Sequence, residues 1–209
     1  GFLYGGTMNI KNISILAHVD AGTTSLTEAI LNTSGNKNTF GSVDEGTTLT
    51  DTNALEIEKG ISIYTSTTSI IYKDTKINII DTPGHMDFIN EVEQALLATD
   101  LAILVIAAND HTLKPQTKAV YQKLCELQIP TIIFINKIDI ESSDIASNIK
   151  RIKTMTKHKA FELNDNEALV EHLALTDDTY LEKVLNNTNT KEDDKNILFK
   201  SINNLNIFP

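Results

Sequence analysis

The sequence predicts an α/β fold in which a mostly parallel sheet carries helices on both faces and one antiparallel hairpin strand. Three observations lead there. The runs "LAILVIAA" (101–108) and "TIIFIN" (131–136) are apolar at successive positions, as strands buried on both faces are. Helix-period segments separate these runs, giving the βαβ alternation of a parallel sheet. Two β-branched runs, "ISIYTSTTSIIY" (61–72) and "KINIID" (76–81), are separated only by "KDT", which fits a hairpin.

Taken in order, "KNISILA" (11–17) is a short isoleucine-rich strand leading through a glycine-containing turn into a helix, "TTSLTEAILNTS", with Leu26, Ala29 and Ile30 on one face. Residues 36–60 lack a period and are punctuated by Gly41, Gly46 and Gly60, so they read as a long loop. The hairpin follows. A helix near 86–98, the strand 101–108, a helix near 115–127 and the strand 131–136 complete the alternation. Beyond Asp139 the strand signal fades, and residues 141–206 read as a variable helical insertion. Residues 1–7 read as an expression remnant before a native start at Met8, leaving 8–209 as one domain.

Composition narrows the function classes. The 209 residues are 41% hydrophobic, enough for one sizeable core. A formal net charge of -10 argues against gripping nucleic acid through the overall field. The single cysteine, Cys125, sits in the periodic stretch "VYQKLCELQI", where a core thiol is expected, and it excludes an intrachain disulfide. No apolar run approaches the roughly 20 residues of a membrane span, so no membrane partner is expected and a soluble cytoplasmic monomer is.

The chemistry concentrates at three strand ends. Ala17 to Thr24, "AHVDAGTT", fits small-x-x-x-x-G-[K]-[ST] at every position but one and lies between a strand and a helix, where a phosphate-binding loop must lie. Backbone N–H groups and the helix dipole would cradle phosphate oxygens there, with the Thr24 hydroxyl on Mg²⁺. An ordinary strand-to-helix turn, with Gly22 for geometry and Thr23 or Thr24 as N-cap, fits the same residues. In "DTPGH" (81–85), Asp81 could hold Mg²⁺ through water and the Gly84 N–H could meet a γ-phosphate. In "NKID" (136–139), the Asp139 carboxylate can accept two N–H donors from a guanine edge, which adenine cannot satisfy in the same way. Open α/β sheets bind ligands at the carboxyl ends of their strands, and all three motifs fall there in order.

These residues resemble the guanine-nucleotide domain of translational GTPases, particularly elongation factor G and the tetracycline-resistance ribosomal protection proteins. The resemblance is carried by "AHVDAG", "GSVDEGTTLTD", "KGISI", "NIIDTPGHMDFINEVEQAL" and "IPTIIFINKID", is close over 9–140 and is weak afterwards. "GSVDEGTTLTD" and "DTPGHMDF" are more similar to the protection proteins.

The resemblance implies a P-loop NTPase G domain that binds GTP or GDP with Mg²⁺ and acts on the ribosome. Ala17, His18, Val19, Asp20, Ala21, Gly22, Thr23 and Thr24 would form the phosphate loop, with packing or backbone roles for His18 and Asp20. Asp81, Thr82, Pro83, Gly84 and His85 would form the second switch, His85 orienting the attacking water as the catalytic residue. Asn136, Lys137, Ile138 and Asp139 would bind guanine. The first switch would lie in 38–65, where Ser62 stands at the family's metal-binding threonine, so Thr24, Ser62 and Asp81 would serve the metal.

Two departures accompany the match. Thr23 occupies the lysine position, removing the charge that reaches the β- and γ-phosphates. The chain stops at Phe208 and Pro209, before the family's last strand, guanine-contacting loop and final helix. The implied function is a GTP hydrolase coupled to release of tetracycline from the ribosome, impaired here by Thr23 and by the truncation. A translocation factor like elongation factor G and a degenerate binding module are the alternatives.

Overall fold

A computed structural model of the chain describes residues 9–34, 66–72, 74–84, 89–157, 160, 170–171, 173–175 and 177–203. The elements in order are β1 (Asn9–Ala17), α1 (Thr23–Thr33), β2 (Ser66–Tyr72), β3 (Thr75–Asp81), α2 (Ile89–Leu96), β4 (Leu101–Ala107), α3 (Pro115–Glu126), β5 (Thr131–Asn136), α4 (Ile145–Met155), α5 (Asp178–Leu185) and α6 (Lys191–Asn203). The first-switch segment with Ser62, His85, and residues 1–8 and 204–209 lie outside the described residues.

The five strands form one sheet in the order β2-β3-β1-β4-β5. β1 pairs in parallel with β3 on one side (Ile13 opposite Ile79) and with β4 on the other (Ile15 opposite Ile103). β4 pairs in parallel with β5, while β2 runs antiparallel to β3 as the hairpin pattern predicts. The chain thus winds from β1 out to β3, then crosses to β4 on the opposite side, and the carboxyl end of β1 sits where the winding reverses.

Alternation along β4 assigns the two faces. Ala102, Leu104 and Ile106 point to the side of α2, α3 and α4: Leu104 packs with Val92, Leu96, Val120 and Leu124, and Ile106 with Leu113 and Ile152. Val105 and Ala107 point the other way, joining Ile15, Ala17, Ile79 and Leu31 of α1. A separate small cluster of Leu173, Ala174, Tyr180 and Ile197 holds α5 to α6.

Two expectations from periodicity change. The most buried positions of α1 are Thr24, Thr27, Glu28 and Leu31, whereas Leu26 and Ile30 pack against the core only in part. Cys125 is exposed: Val120, Tyr121 and Leu124 turn inward, and Cys125 lies past the edge of that face. No helix among the described residues is long and apolar enough to cross a membrane.

Candidate functional site

β1 ends at Ala17, and the turn that follows is held by an Ala21 N–H to His18 carbonyl hydrogen bond of 3.3 Å. Gly22 is the N-cap of α1 with φ 97° and ψ 39°, a left-handed conformation that L side chains resist. No side chain caps the helix, so Gly22 sets the turn as expected, but neither Thr23 nor Thr24 is the N-cap. Thr23 is half-buried, and Thr24 is buried in the first turn of α1.

β3 delivers Asp81 to the same place, only 2% exposed. Thr27, one turn along α1 from Thr24, directs its hydroxyl toward the Asp81 carboxylate at 3.5 Å. Thr82 anchors the next step: its N–H and hydroxyl both donate to the Ile15 carbonyl, at 3.3 and 3.0 Å. Pro83 is buried, and Gly84 lies so close to the phosphate loop that a Cβ there would stand 2.9 Å from both the His18 carbonyl carbon and the Val19 nitrogen.

β5 brings the third motif. The Asn136 side-chain amide donates to the Ala21 carbonyl at 2.9 Å, tying "NKID" to the loop directly. Lys137 has φ 59°, and the following turn closes through bonds from the Ile140 N–H and the Ser143 hydroxyl to the Lys137 carbonyl. Ile138 and Asp139 are exposed at the rim, leaving the Asp139 carboxylate open to solvent. The structure therefore brings together Ala17 to Thr24, Asp81 to Gly84 and Asn136 to Asp139.

Sequence reasoning missed a polar cluster behind the loop. His18, 8% exposed, has Nδ1 at hydrogen-bond distance from the Val19 carbonyl, while Nε2 lies 2.6 Å from an Asp110 carboxylate oxygen, off the line of an ideal bond. The other Asp110 oxygen meets Lys114 at 3.1 Å, at the start of α3. His18, Asp20, Asn109, Lys114 and Lys137 are among the residues lining a cleft of about 490 Å³ beside the loop. Asn148, fully buried on α4, donates to the Ala108 carbonyl at 2.8 Å, and the Ala108 N–H donates to the Asn136 carbonyl. Asn148 so fixes the register of the turn after β5 without touching it. Nothing in the local sequence marks Asp110 or Asn148 as parts of the site, because His18 and Ala108, which tie them to it, come from other segments of the chain.

A glycine-turned loop between β1 and α1, a buried carboxylate at the end of β3 and an amide from β5 closing on that loop define a phosphate-loop nucleotide-binding domain. Residues 8–203 match the elongation factor Tu GTP binding domain family, and the chain belongs to it. It is 51% identical over 146 residues to the tetracycline resistance protein TetO of Campylobacter jejuni and equally to TetM from transposon Tn1545 of Enterococcus faecalis. Each match covers 70% of this chain and 23% of the relative, so the chain spans about a quarter of the length of the curated relatives it matches. A crystal structure of a Thermus thermophilus protein shares the fold with a TM-score of 0.81 over 94% of this chain and 36% of that one, at 20% identity.

Proposed function

We propose that this chain is the GTP-binding and GTP-hydrolysing domain of a ribosomal protection protein, which couples turnover on the ribosome, in the cytoplasm, to release of tetracycline. The observation that carries this reading is the Asn136–Ala21 hydrogen bond, which joins a base-reading corner to a phosphate loop in a chain 51% identical over 146 residues to TetO and TetM. In this reading Ala17 to Thr24 cradle the phosphates, and Asn136, Lys137 and Asp139 select guanine, with Ile138 beside them. Asp81, Thr82, Pro83 and Gly84 lead the second switch toward His85, which orients the attacking water.

Thr24 and Asp81 supply a hydroxyl and a carboxylate, the hard oxygen donors that suit Mg²⁺, and Ser62 would add a second hydroxyl. The ion, when bound, neutralises phosphate charge. The protein's part is to hold these oxygens: Thr24 by its place in the first turn of α1, and Asp81 by the paired end of β3.

Thr23 supports a second reading, a nucleotide-binding module with impaired turnover. A hydrogen bond to a charged group is worth roughly 1.5–3 kcal/mol, so loss of the lysine lowers phosphate affinity about tenfold to a hundredfold. Calorimetric titration of GDP and a non-hydrolysable GTP analogue, with Mg²⁺, into this chain and its Thr23→Lys variant tests both readings. Guanine binding strengthened by Thr23→Lys is the expected result. Equal affinity for adenine nucleotides overturns the proposal, and no binding by either variant points to a pseudo-GTPase.

A further inference from the structure

A second concavity, of about 810 Å³, lies away from the phosphate loop between α3 and α4. Its apolar part is made by Leu113, Tyr121 and Met155, of which Leu113 and Tyr121 are 8% and 9% exposed. Lys118, Arg151 and Lys157 stand around it, and no carboxylate is among its lining residues within the described part of the chain. That local excess of positive charge occurs on a chain of formal net charge -10. The Arg151 guanidinium is fixed in place by a 3.3 Å bond to the Asp110 carbonyl. Burial, and after it the neighbouring Cys125, push the Tyr121 phenol well above its ordinary range, so that ring brings no negative charge to the groove.

From this arrangement of three cations around an apolar floor between two helices, we infer that the α3–α4 groove docks an acidic amphipathic peptide segment of a partner protein. The segment seats apolar side chains on Leu113, Tyr121 and Met155 and sets carboxylates against Lys118, Arg151 and Lys157, the helix-in-groove mode of recognition. Charge complementarity selects the acidic partner, since an apolar groove alone would accept either sign. A nucleic acid fits less well. Its phosphates would satisfy the cations, but its bases need an open stacking platform, and among the described residues the groove's aromatic ring, Tyr121, is only 9% exposed, enough to touch an apolar side chain but too little for a base to stack on.

The chain carries its own reporter, because its single cysteine, Cys125, is exposed and lines this groove. The probe is a fluorescein-labelled helical peptide about three turns long, with leucines on one face and glutamates elsewhere. A leucine–lysine peptide of the same pattern and a single-stranded RNA serve as comparisons. The full chain is titrated by fluorescence anisotropy, and iodoacetamide alkylation of Cys125 is timed with and without each probe.

The expected result is that the glutamate peptide binds, slows Cys125 alkylation and weakens about tenfold in the Lys118→Glu/Lys157→Glu variant, while the lysine peptide gains there. Both lysines are exposed, and a far-UV spectrum checks the fold. Should the variant not fold, Cys125 protection in the unmodified chain decides. Absence of binding, binding that leaves alkylation unchanged, equal binding of the lysine peptide to the unmodified chain, or equal protection by the RNA overturns the proposal.

Discussion

A Cβ placed on Gly22 would stand 2.3 Å from the side-chain amide nitrogen of Asn136, the atom that donates to the Ala21 carbonyl. The glycine is required twice at this point, once for its φ of 97° and once for the space that Asn136 fills. Gly22→Ala should therefore cost about 1–3 kcal/mol in urea unfolding, since it adds backbone strain and displaces a hydrogen bond. It should also weaken guanine-nucleotide binding. Unchanged stability would mean that Asn136 swings aside freely.

Gly84 presents a harder boundary. The atoms a side chain would meet there are backbone, His18 C and Val19 N at 2.9 Å, which cannot rotate away. Gly84→Ala should separate β3's trailing segment from the phosphate loop, destabilising the domain by about 1–3 kcal/mol. Amide exchange should speed up at His18 and Val19 while the distant α5–α6 corner stays as it was.

The His18–Asp110–Lys114 chain allows a graded comparison. The His18 and Asp110 side chains are 8% and 15% exposed, whereas Lys114 is 44% exposed. Asp110→Ala strips a nearly buried ring of its facing group and should cost about 1–3 kcal/mol. Lys114→Ala removes a mostly solvated charge and should cost below about 1 kcal/mol. Thermal or urea unfolding of the two variants orders them; the reverse order would mean that Lys114, not His18, is the partner that holds Asp110.

Acid should loosen the α5–α6 corner late in the titration, through Asp193. The Lys183 ammonium, then Thr190, hold the Asp193 carboxyl down at about 2, below its ordinary 3.8. A lowered folded-state pKa gives stability that is present above the unfolded value and is lost as pH falls through the folded one. The contribution of Asp193 is thus complete at neutral pH and fades between about 3.8 and 2. Nuclear magnetic resonance of Lys183 and Thr190 amides across that interval should show the loss, and Asp193→Ala should abolish its pH dependence.

Much of the sheet was legible because isoleucine-rich strands announce themselves. "TIIFIN" is β5 residue for residue, and the β2–β3 hairpin follows its two β-branched runs. The helix α1 was found for the right reason but with its face misjudged. Its buried side carries the polar residues Thr24, Thr27 and Glu28, of which Thr27 turns toward Asp81 at the end of β3, so hydrophobic periodicity pointed to neighbouring positions. Cys125 misled in the opposite sense, lying one residue beyond the inward-facing Leu124. The strand-end motifs were visible as text, but Asp110 and Asn148 became visible only in three dimensions. Their work is to meet His18 and Ala108, brought near by sheet pairing rather than by local sequence.

The central place of β1 sets an order of assembly. Both of its neighbours, β3 and β4, come from later in the chain, and Asn136, which closes on Ala21, comes later still. During synthesis the strand that bears the phosphate loop is made first and fully partnered only after Leu101–Ala107 has emerged. Pairings so distant along the chain slow folding and leave apolar segments exposed in the interval. The stretch "ISILA" is thus an apolar segment that waits for partners on the nascent chain, and the loop can close on Asn136 only after β5 has been made.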